Sequence, residues 1–286
     1  MEMTTVTDIV KNHLCCSCSE CILVCPQKAI QFEETAGGLI HPSIDTSLCT
    51  ECGFCVKVCP GLRLSETVLE QLPDDPFAGN ALTSYLGKAS DTKIHTNGQS
   101  GGVTTALLKY AFENDIIDSA LVVTMEEGAP PRPRPFLATS PDELSQTQKS
   151  KYTPVPLLSA LKDTSQVGRF AVVGTPCQIH GLKNLVSEFP EKFDGLAFTI
   201  GLFCEHMLTS AAIDFLINEA GMNTKEKTLL TFKDKSRGGY PGNVSVTRND
   251  GKTVVLSSVK RMQILQRGGV KKSFICMRFT EERTTV

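Results

Sequence analysis

Apolar residues recur at helical spacing in GVTTALLKYAFEND (102–115), and SALVVT (119–124) follows with the character of a short buried strand. PVPLLSALKDT (154–164) begins another helix. RFAVVG (169–174) is a strand that runs straight into a turn and helix, TPCQIHGLKNLVSEF (175–189). GLAFTIGLFC (195–204) predicts a third strand, and SAAIDFLINEAG (210–221) a helix closed by Gly221. Alternation of this kind predicts a mostly parallel sheet with helices on its faces. From about residue 229 the pattern changes. TLLTFKD and NVSVTRNDGKTVVLSS, with an Asn249-Asp250-Gly251 turn, predict antiparallel hairpins. GAPPRPRP (128–135) reads as a stiff, exposed polyproline-like loop, and LPDDPFAGNALTS as a linker or ordered loop.

Composition adds a second unit in front of this body. Nine of the twelve cysteines fall between Cys15 and Cys59. They form two copies of one run, Cys15-x2-Cys18-x2-Cys21-x3-Cys25-Pro26 and Cys49-x2-Cys52-x2-Cys55-x3-Cys59-Pro60. This is the bacterial ferredoxin run, in which the fourth cysteine ligates the cluster of the other copy. Three cysteines two apart wrap three corners of a cubane, the fourth begins a helix that crosses over, and proline ends that helix. The spacing therefore assigns Cys15, Cys18, Cys21 and Cys59 to one 4Fe–4S cluster, and Cys49, Cys52, Cys55 and Cys25 to a second. Zinc sites and disulfide scaffolds use other spacings or require secretion. Cys16 stands outside the pattern and reads as a bystander.

The remaining totals exclude more than they assign. A chain of 286 residues, 41% hydrophobic, suits one large domain or two moderate ones. A net charge of −2 gives no nucleic-acid or membrane-surface footprint, and no apolar run is long enough to span a bilayer. The N-terminal residues lack signal-peptide character, so a cytoplasmic location is expected. The expected fold is an α+β ferredoxin-like two-cluster head (1–62), a linker and start of the body (63–95), and an α/β domain with an antiparallel β extension (96–286).

Four stretches of the body carry chemistry. NGQSGGVTT (97–105) sets glycines and a serine before a helix, where free backbone N–H groups can seat a phosphate. QKSKYTPVP (148–156) brings Lys149, Lys151 and Tyr152 beside a helix start. GTPCQ (174–178) puts Cys177 where a strand gives way to a helix, the ligand-binding crevice of open α/β sheets. GLFCEH (201–206) places Cys204 at the end of the next strand, close enough in prospect for both cysteines to reach one metal site.

Taken in order, GQSGGVTTALLKYA, QKSKYTPVPLLSAL, AVVGTPCQIHGLKNL, IGLFCEH, FKDKSRGGYPGN and CMRFT resemble one family, the beta subunits of coenzyme F420-reducing hydrogenase and F420H2 dehydrogenase. That family also includes 7-hydroxymethyl chlorophyll a reductases and ferredoxin-dependent divinyl reductases. The resemblance covers roughly residues 80–283. It implies a flavoprotein that holds FAD non-covalently on Gly98, Gln99, Ser100, Gly101 and Gly102, on Ser150, Lys151 and Tyr152, and on the Gly174-Thr175-Pro176 turn. It also implies an additional 4Fe–4S cluster at positions that correspond here to Cys177, Cys204, Ser273 and Cys276. Serine at the third position departs from the pattern, because it is a poor iron ligand beside thiolates. Arg278 stands where aspartate is usual, and the C-terminus reads as cut short or diverged. His206 is a candidate replacement ligand.

Three functions follow from these signals. The first is an oxidoreductase passing electrons between coenzyme F420, FAD and the clusters. The second is a ferredoxin-dependent reductase of an organic substrate, and the third a non-catalytic electron-transfer subunit of a larger complex. Expected partners are coenzyme F420 or another small redox substrate, together with a ferredoxin or a partner redox subunit. Arg132, Arg134 and Lys149 are exposed charges that could meet an acidic partner.

Overall fold

The computed structural model describes residues 5–62, 81–161, 168–204, 207–236, 239–240 and 242–257. The linker residues 63–80, His206, Ser273, Cys276, Arg278 and the rest of the C-terminal stretch lie outside the described residues.

The cysteine-rich head consists of α1 (Val6–Lys11), α2 (Glu20–Val24), β1 (Ile30–Glu34), β2 (Ile40–Ile44) and α3 (Phe54–Lys57). β1 and β2 pair antiparallel from Ile30↔Ile44 to Glu34↔Ile40. The fourth cysteine of each run does not begin a helix, as the spacing suggested. Cys25 caps the C-terminal end of α2, and Cys59 follows the end of α3. Pro26 and Pro60 account for this, since the residue before a proline is driven out of the helical region.

In the body, α4 (Thr92–Asn97) leads into α5 (Val103–Glu113) through the glycine turn. β3 (Ser119–Glu126), β5 (Phe170–Gly174) and β6 (Leu196–Gly201) are parallel neighbours, and β4 (Arg132–Ala138) adds an antiparallel edge, giving the order β4-β3-β5-β6. β5 is buried at every residue, as a parallel strand covered on both faces must be. β4 corrects the reading of residues 128–135 as a loop. Pro133 and Pro135 stand opposite Met125 and Val123, and prolines at alternate positions leave the N–H groups between them free to face β3. An edge strand tolerates this arrangement where a central one does not.

α6 (Pro176–Glu188) follows β5 directly. Thr175 and Gln178 form its capping box, and Pro176 occupies the first turn where no N–H is needed. β6 ends at Gly201, so Cys204 stands in coil beyond the strand rather than at its end. The expected helix at 154–164 is, over its described part, a 3₁₀ turn at Leu157–Ala160, with the Ser159 hydroxyl donating to the Pro156 carbonyl. That tight turn drives two successive leucines, Leu157 and Leu158, fully into the core. α7 (Ala211–Glu219) stops before Gly221, whose φ of +68° is the left-handed conformation that closes a helix. Its apolar face, Ile213, Leu216 and Ile217, packs against Leu230, Phe232, Val244 and Val246. Those residues belong to the antiparallel sheet β7 (Thr228–Asp234), β8 (Asn243–Arg248) and β9 (Thr253–Leu256).

Head and body share one hydrophobic core, in which Val6, Ile9, Cys21 and Val58 cluster with Leu158, Phe170 and Leu182. Polar contacts fix the same junction. The Leu158 N–H donates to Ser19 Oγ at 2.9 Å, and Asn184 Nδ2 to the Val58 carbonyl at 3.3 Å. Phe54 meets Phe189 edge-on at 5.6 Å between ring centroids. Gly181 of α6 lies against the Glu20 carboxylate, where a Cβ would come within 2.4 Å of its Cδ. Arg132, expected as a free surface charge, pairs instead with Glu34 of the head hairpin and with Asp214 of α7. Arg134 pairs with Glu126 across the β3–β4 ladder. The head is thus anchored to the body along two of its sides. No helix among the described residues is long and apolar enough to cross a membrane.

Candidate functional site

The eight cysteines of the two runs line two small cavities. Cys15, Cys18, Cys21 and Cys59 line one small cavity together with Val6, Ile9, Phe32 and Pro42. Cys25, Cys49 and Cys52 line a second, and Cys55 borders both. The αL conformations of Ser19 and Gly53, just before α2 and α3, are the tight turns that bring each C-x2-C-x2-C stretch around its cavity. Burial pushes the Cys15 thiol up to about 11 and Cys59 to about 12, and it raises Cys21 and Cys55 as well. At Cys18 the neighbouring Cys16 thiol is the largest single influence and lowers it, but burial together with Glu20 and Cys59 raises it further. Four thiolates in such a place need a compensating positive charge, which iron supplies. No three His, Cys, Asp or Glu side chains among the described residues converge closely enough for a single metal ion. Four cysteine thiols around each small cavity are the donor number that a 4Fe–4S cubane takes, so the donor set fits one in each cradle.

Glu20 completes the wall of the first cradle. It is fully buried, and neither carboxylate oxygen has a hydrogen-bond partner. Burial is the largest influence on it and pushes its carboxyl up to about 8. Cys16 also lines this cradle.

A much larger cavity, about 460 Å³, opens at the carboxyl ends of β5 and β6. Its wall includes Gly98, Gln99, Ser100 and Gly102 from the glycine turn, Ser150, Lys151 and Tyr152 from the 148–153 loop, and Gly174 and Thr175 from the β5–α6 turn. The three separate stretches singled out in the sequence therefore meet. Gly101 and Pro176 are not among the lining residues. Gly101 instead braces the turn, its carbonyl accepting from the Ala89 N–H at 2.7 Å. Gly102 has φ +74° and sits directly before α5, so only glycine holds this turn without strain while the first N–H groups of an eleven-residue helix face the cavity.

Gln99 ties the stretches together. Its Nε2 donates to Tyr152 Oη at 3.0 Å, and its Oε1 accepts from the Ser150 N–H at 3.0 Å. The Tyr152 ring is held edge-on to Phe232 at 5.3 Å, under the Lys233 ammonium. Lys151 Nζ donates to the Thr147 and Gln148 carbonyls, while burial first and Lys149 second lower its ammonium to about 7.

Several residues of the site escaped sequence reasoning. Thr153 is fully buried at the cavity wall, and its hydroxyl has no partner. Lys235 donates to the Ser100 and His95 carbonyls and so steadies the glycine turn from the far sheet. Phe203 and Met207 line the mouth, and Phe203 is wholly exposed. Lys235 lies in the FKDKSRGGYPGN stretch, the one signal that could have flagged it. Thr153 and Phe203 lie inside the QKSKYTPVP and GLFCEH stretches without having been singled out there, and Met207 carries no pattern. Cys204 lines this cavity, whereas Cys177 does not, and the Thr175 hydroxyl lies 3.3 Å from its sulfur.

Residues 84–162 match the family profile of the coenzyme F420 hydrogenase/dehydrogenase beta subunit N-terminal region, and 167–284 that of its C-terminal region. Residues 14–61 match a 4Fe-4S dicluster domain. A coenzyme F420-dependent sulfite reductase of Methanocaldococcus jannaschii is 33% identical over 80% of this chain and 36% of its own length. One of the subunits of the F420H2 dehydrogenase of Methanosarcina mazei is 29% identical, over 70% of this chain and 55% of its own. An uncharacterized protein of Methanocaldococcus jannaschii is 27% identical over 96% of this chain and 79% of its own. The chain thus spans about a third to a half of the length of the first two of these relatives.

Proposed function

The chain belongs to the coenzyme F420 hydrogenase/dehydrogenase beta-subunit family, and from that premise we propose that it is an iron–sulfur flavoprotein oxidoreductase. In this reading two 4Fe–4S clusters occupy the head, FAD occupies the large cavity, and reduced coenzyme F420 is the electron-pair donor or product. The observation that carries it is the convergence of the glycine turn, the 148–153 loop and the β5–α6 turn on one cavity. The fit to a flavin nucleotide rests on three features there. A helix N-terminus and Lys151 supply positive potential for a pyrophosphate. Thr153 offers a buried hydroxyl that still requires a partner. Phe203 presents an exposed ring at the mouth, where a second planar heterocycle could stack.

Bound in the cavity, flavin supplies the exchange between electron pairs and single electrons, which clusters alone cannot perform. The residues around it hold, orient and seclude. Gln99 and Tyr152 fix the loop against the glycine turn, and the capping pair Thr175 and Gln178 fixes the β5–α6 turn. Cys15, Cys18, Cys21 and Cys59 are the proposed ligands of the cluster nearer the body, and Cys25, Cys49, Cys52 and Cys55 of the outer one. The additional body cluster implied by the resemblance is not part of this reading. Of its positions, Cys177 and Cys204 are described, and of these two Cys204 lines the large cavity.

Equilibrium dialysis of the cluster-loaded protein against FAD tests the proposal. It is expected to retain about one FAD per chain, with much weaker retention in Thr153→Val, where a lost hydrogen bond costs about 1 kcal/mol or more. A protein that keeps all of its iron and binds no flavin contradicts the reading.

A further inference from the structure

The glycine turn joins two helix ends of opposite polarity. Free N–H groups at the start of α5 make the turn attractive to an anion, whereas the unpaired carbonyls that end α4 make it repellent. The two ends nearly touch: a Cβ on Gly102 would come within 2.9 Å of the Ile94 carbonyl oxygen. Two side chains from outside reach the carbonyls of α4. Gln148 Nε2 donates to the Ile94 carbonyl at 3.0 Å, and Lys235 Nζ to the His95 carbonyl at 3.1 Å. The same ammonium donates to the Ser100 carbonyl at 3.0 Å, within the turn itself. Ser100 lines the large cavity and Lys235 does not, so the ammonium acts from behind the turn.

Lys235 belongs to a different sheet from the rest of this wall. It directly follows β7, whose last residue is fixed: the Asp234 carboxylate accepts from the Ser245 hydroxyl at 2.7 Å and from the Ser236 N–H at 3.0 Å. Phe232 and Lys233, just before it, hold the Tyr152 ring. One strand end therefore grips two of the three stretches that build the cavity. The partners of Lys235 Nζ are both main-chain carbonyls, so no carboxylate among the described residues offsets its charge.

We infer that Lys235 is a positioning residue that makes the glycine turn selective for a phosphate-bearing ligand. The inference rests on the reading of the cavity as a flavin-nucleotide site and identifies what keeps its pyrophosphate seat positive. By engaging the His95 and Ser100 carbonyls, Lys235 leaves the N–H groups of the α5 N-terminus unopposed and adds a positive charge behind them. A ligand without phosphate gains nothing from this arrangement. The role differs from that of Lys151, which lines the cavity.

The test compares the cluster-loaded wild-type protein with Lys235→Met, which removes the charge, and with Lys235→Arg, which keeps it. Equilibrium dialysis gives dissociation constants for FAD, for inorganic pyrophosphate and for riboflavin, which carries no phosphate. Lys235→Met is expected to weaken FAD and pyrophosphate about 5- to 30-fold, to leave riboflavin within about twofold, and to flatten the salt dependence of FAD binding. Lys235→Arg should stay close to wild type. Equal weakening of all three ligands would reduce Lys235 to a prop for the turn and overturn the inference, as would unchanged binding of FAD and pyrophosphate. A wild-type protein that binds pyrophosphate, loses it in Lys235→Met and takes up no flavin upholds the role of Lys235 while removing the flavin reading. One that binds neither pyrophosphate nor flavin removes both.

Discussion

Cys59→Ala is expected to cut the iron content from about eight to about four atoms per chain, and to do so by emptying the cradle of the other cysteine run. Cys59 belongs by sequence to the run of Cys49, Cys52 and Cys55. By position it lines the cavity of Cys15, Cys18 and Cys21, while Cys25 crosses in the opposite direction. The replacement therefore leaves the outer cluster its four thiolates and takes one from the inner. Stability should fall with it, because the inner cradle is part of the core shared with the body, and metal binding contributes folding free energy. Cys52→Ala provides the contrast. Cys52 is exposed, so the same loss of about four iron atoms should lower the melting temperature much less. Iron analysis, cluster spectroscopy and thermal melting of the two variants check this. Equal destabilisation, or loss of the outer cluster in Cys59→Ala, contradicts the crossed assignment.

Lys151→Ala is expected to raise the FAD dissociation constant roughly 10- to 150-fold, the effect of losing about 1.5–3 kcal/mol in a hydrogen bond to a charged group. The pH dependence identifies the cause. Burial, with Lys149 adding to it, lowers Lys151 from its ordinary 10.5 to about 7. Above that pH an incoming pyrophosphate recovers its cation only by taking up a proton. Affinity should therefore be highest below about pH 7 and should weaken above it by up to about tenfold per unit. Stability without flavin moves in the opposite direction. Between about 7 and 10.5 the unfolded chain binds more protons at this site, so stability rises with pH across that window. Both trends should flatten in Lys151→Ala, and isothermal titration at several pH values measures the first of them. A wild-type affinity independent of pH between 6 and 9 counts against a role for this ammonium.

The cysteine spacing was the most legible part of the chain, because cluster geometry constrains sequence directly: each cradle needs three ligands on one turn and a fourth from elsewhere. The alternation of strands and helices was legible for a similar reason. β5 is apolar throughout since both its faces are covered, and α6 announces itself with Thr175-Pro176 and Gln178. Two readings failed where local chemistry has more than one outcome. Alternating prolines suit an extended loop as well as the edge strand they form in β4. Prolines at 154 and 156 permit a helix start, yet the described turn beyond them is 3₁₀. The junction was illegible because nothing local marks it. Arg132 reads as an exposed charge until Glu34 and Asp214 are seen on either side of it. Gly181 is an unremarked glycine in a helix until Glu20 is found against it.

The shared core also bears on how electrons would cross the molecule. A head packed on the body through Ser19, Val58 and Phe54 holds the inner cradle at a fixed place relative to Thr175, which lines the large cavity. Fixed separation is what electron transfer between cofactors requires, and the sequence alone left the proline-rich connector as a linker or an ordered loop.

The most direct test of the central claim, that the cavity and the head clusters form one internal path, is an anaerobic visible-spectrum titration of the cluster-loaded, FAD-reconstituted protein with reduced coenzyme F420. The account predicts that flavin and cluster absorbance bleach together, with the donor oxidised in proportion. Flavin that bleaches while the clusters stay oxidised would contradict the path. No bleaching at all, with prompt reduction by ferredoxin instead, would contradict coenzyme F420 as the substrate.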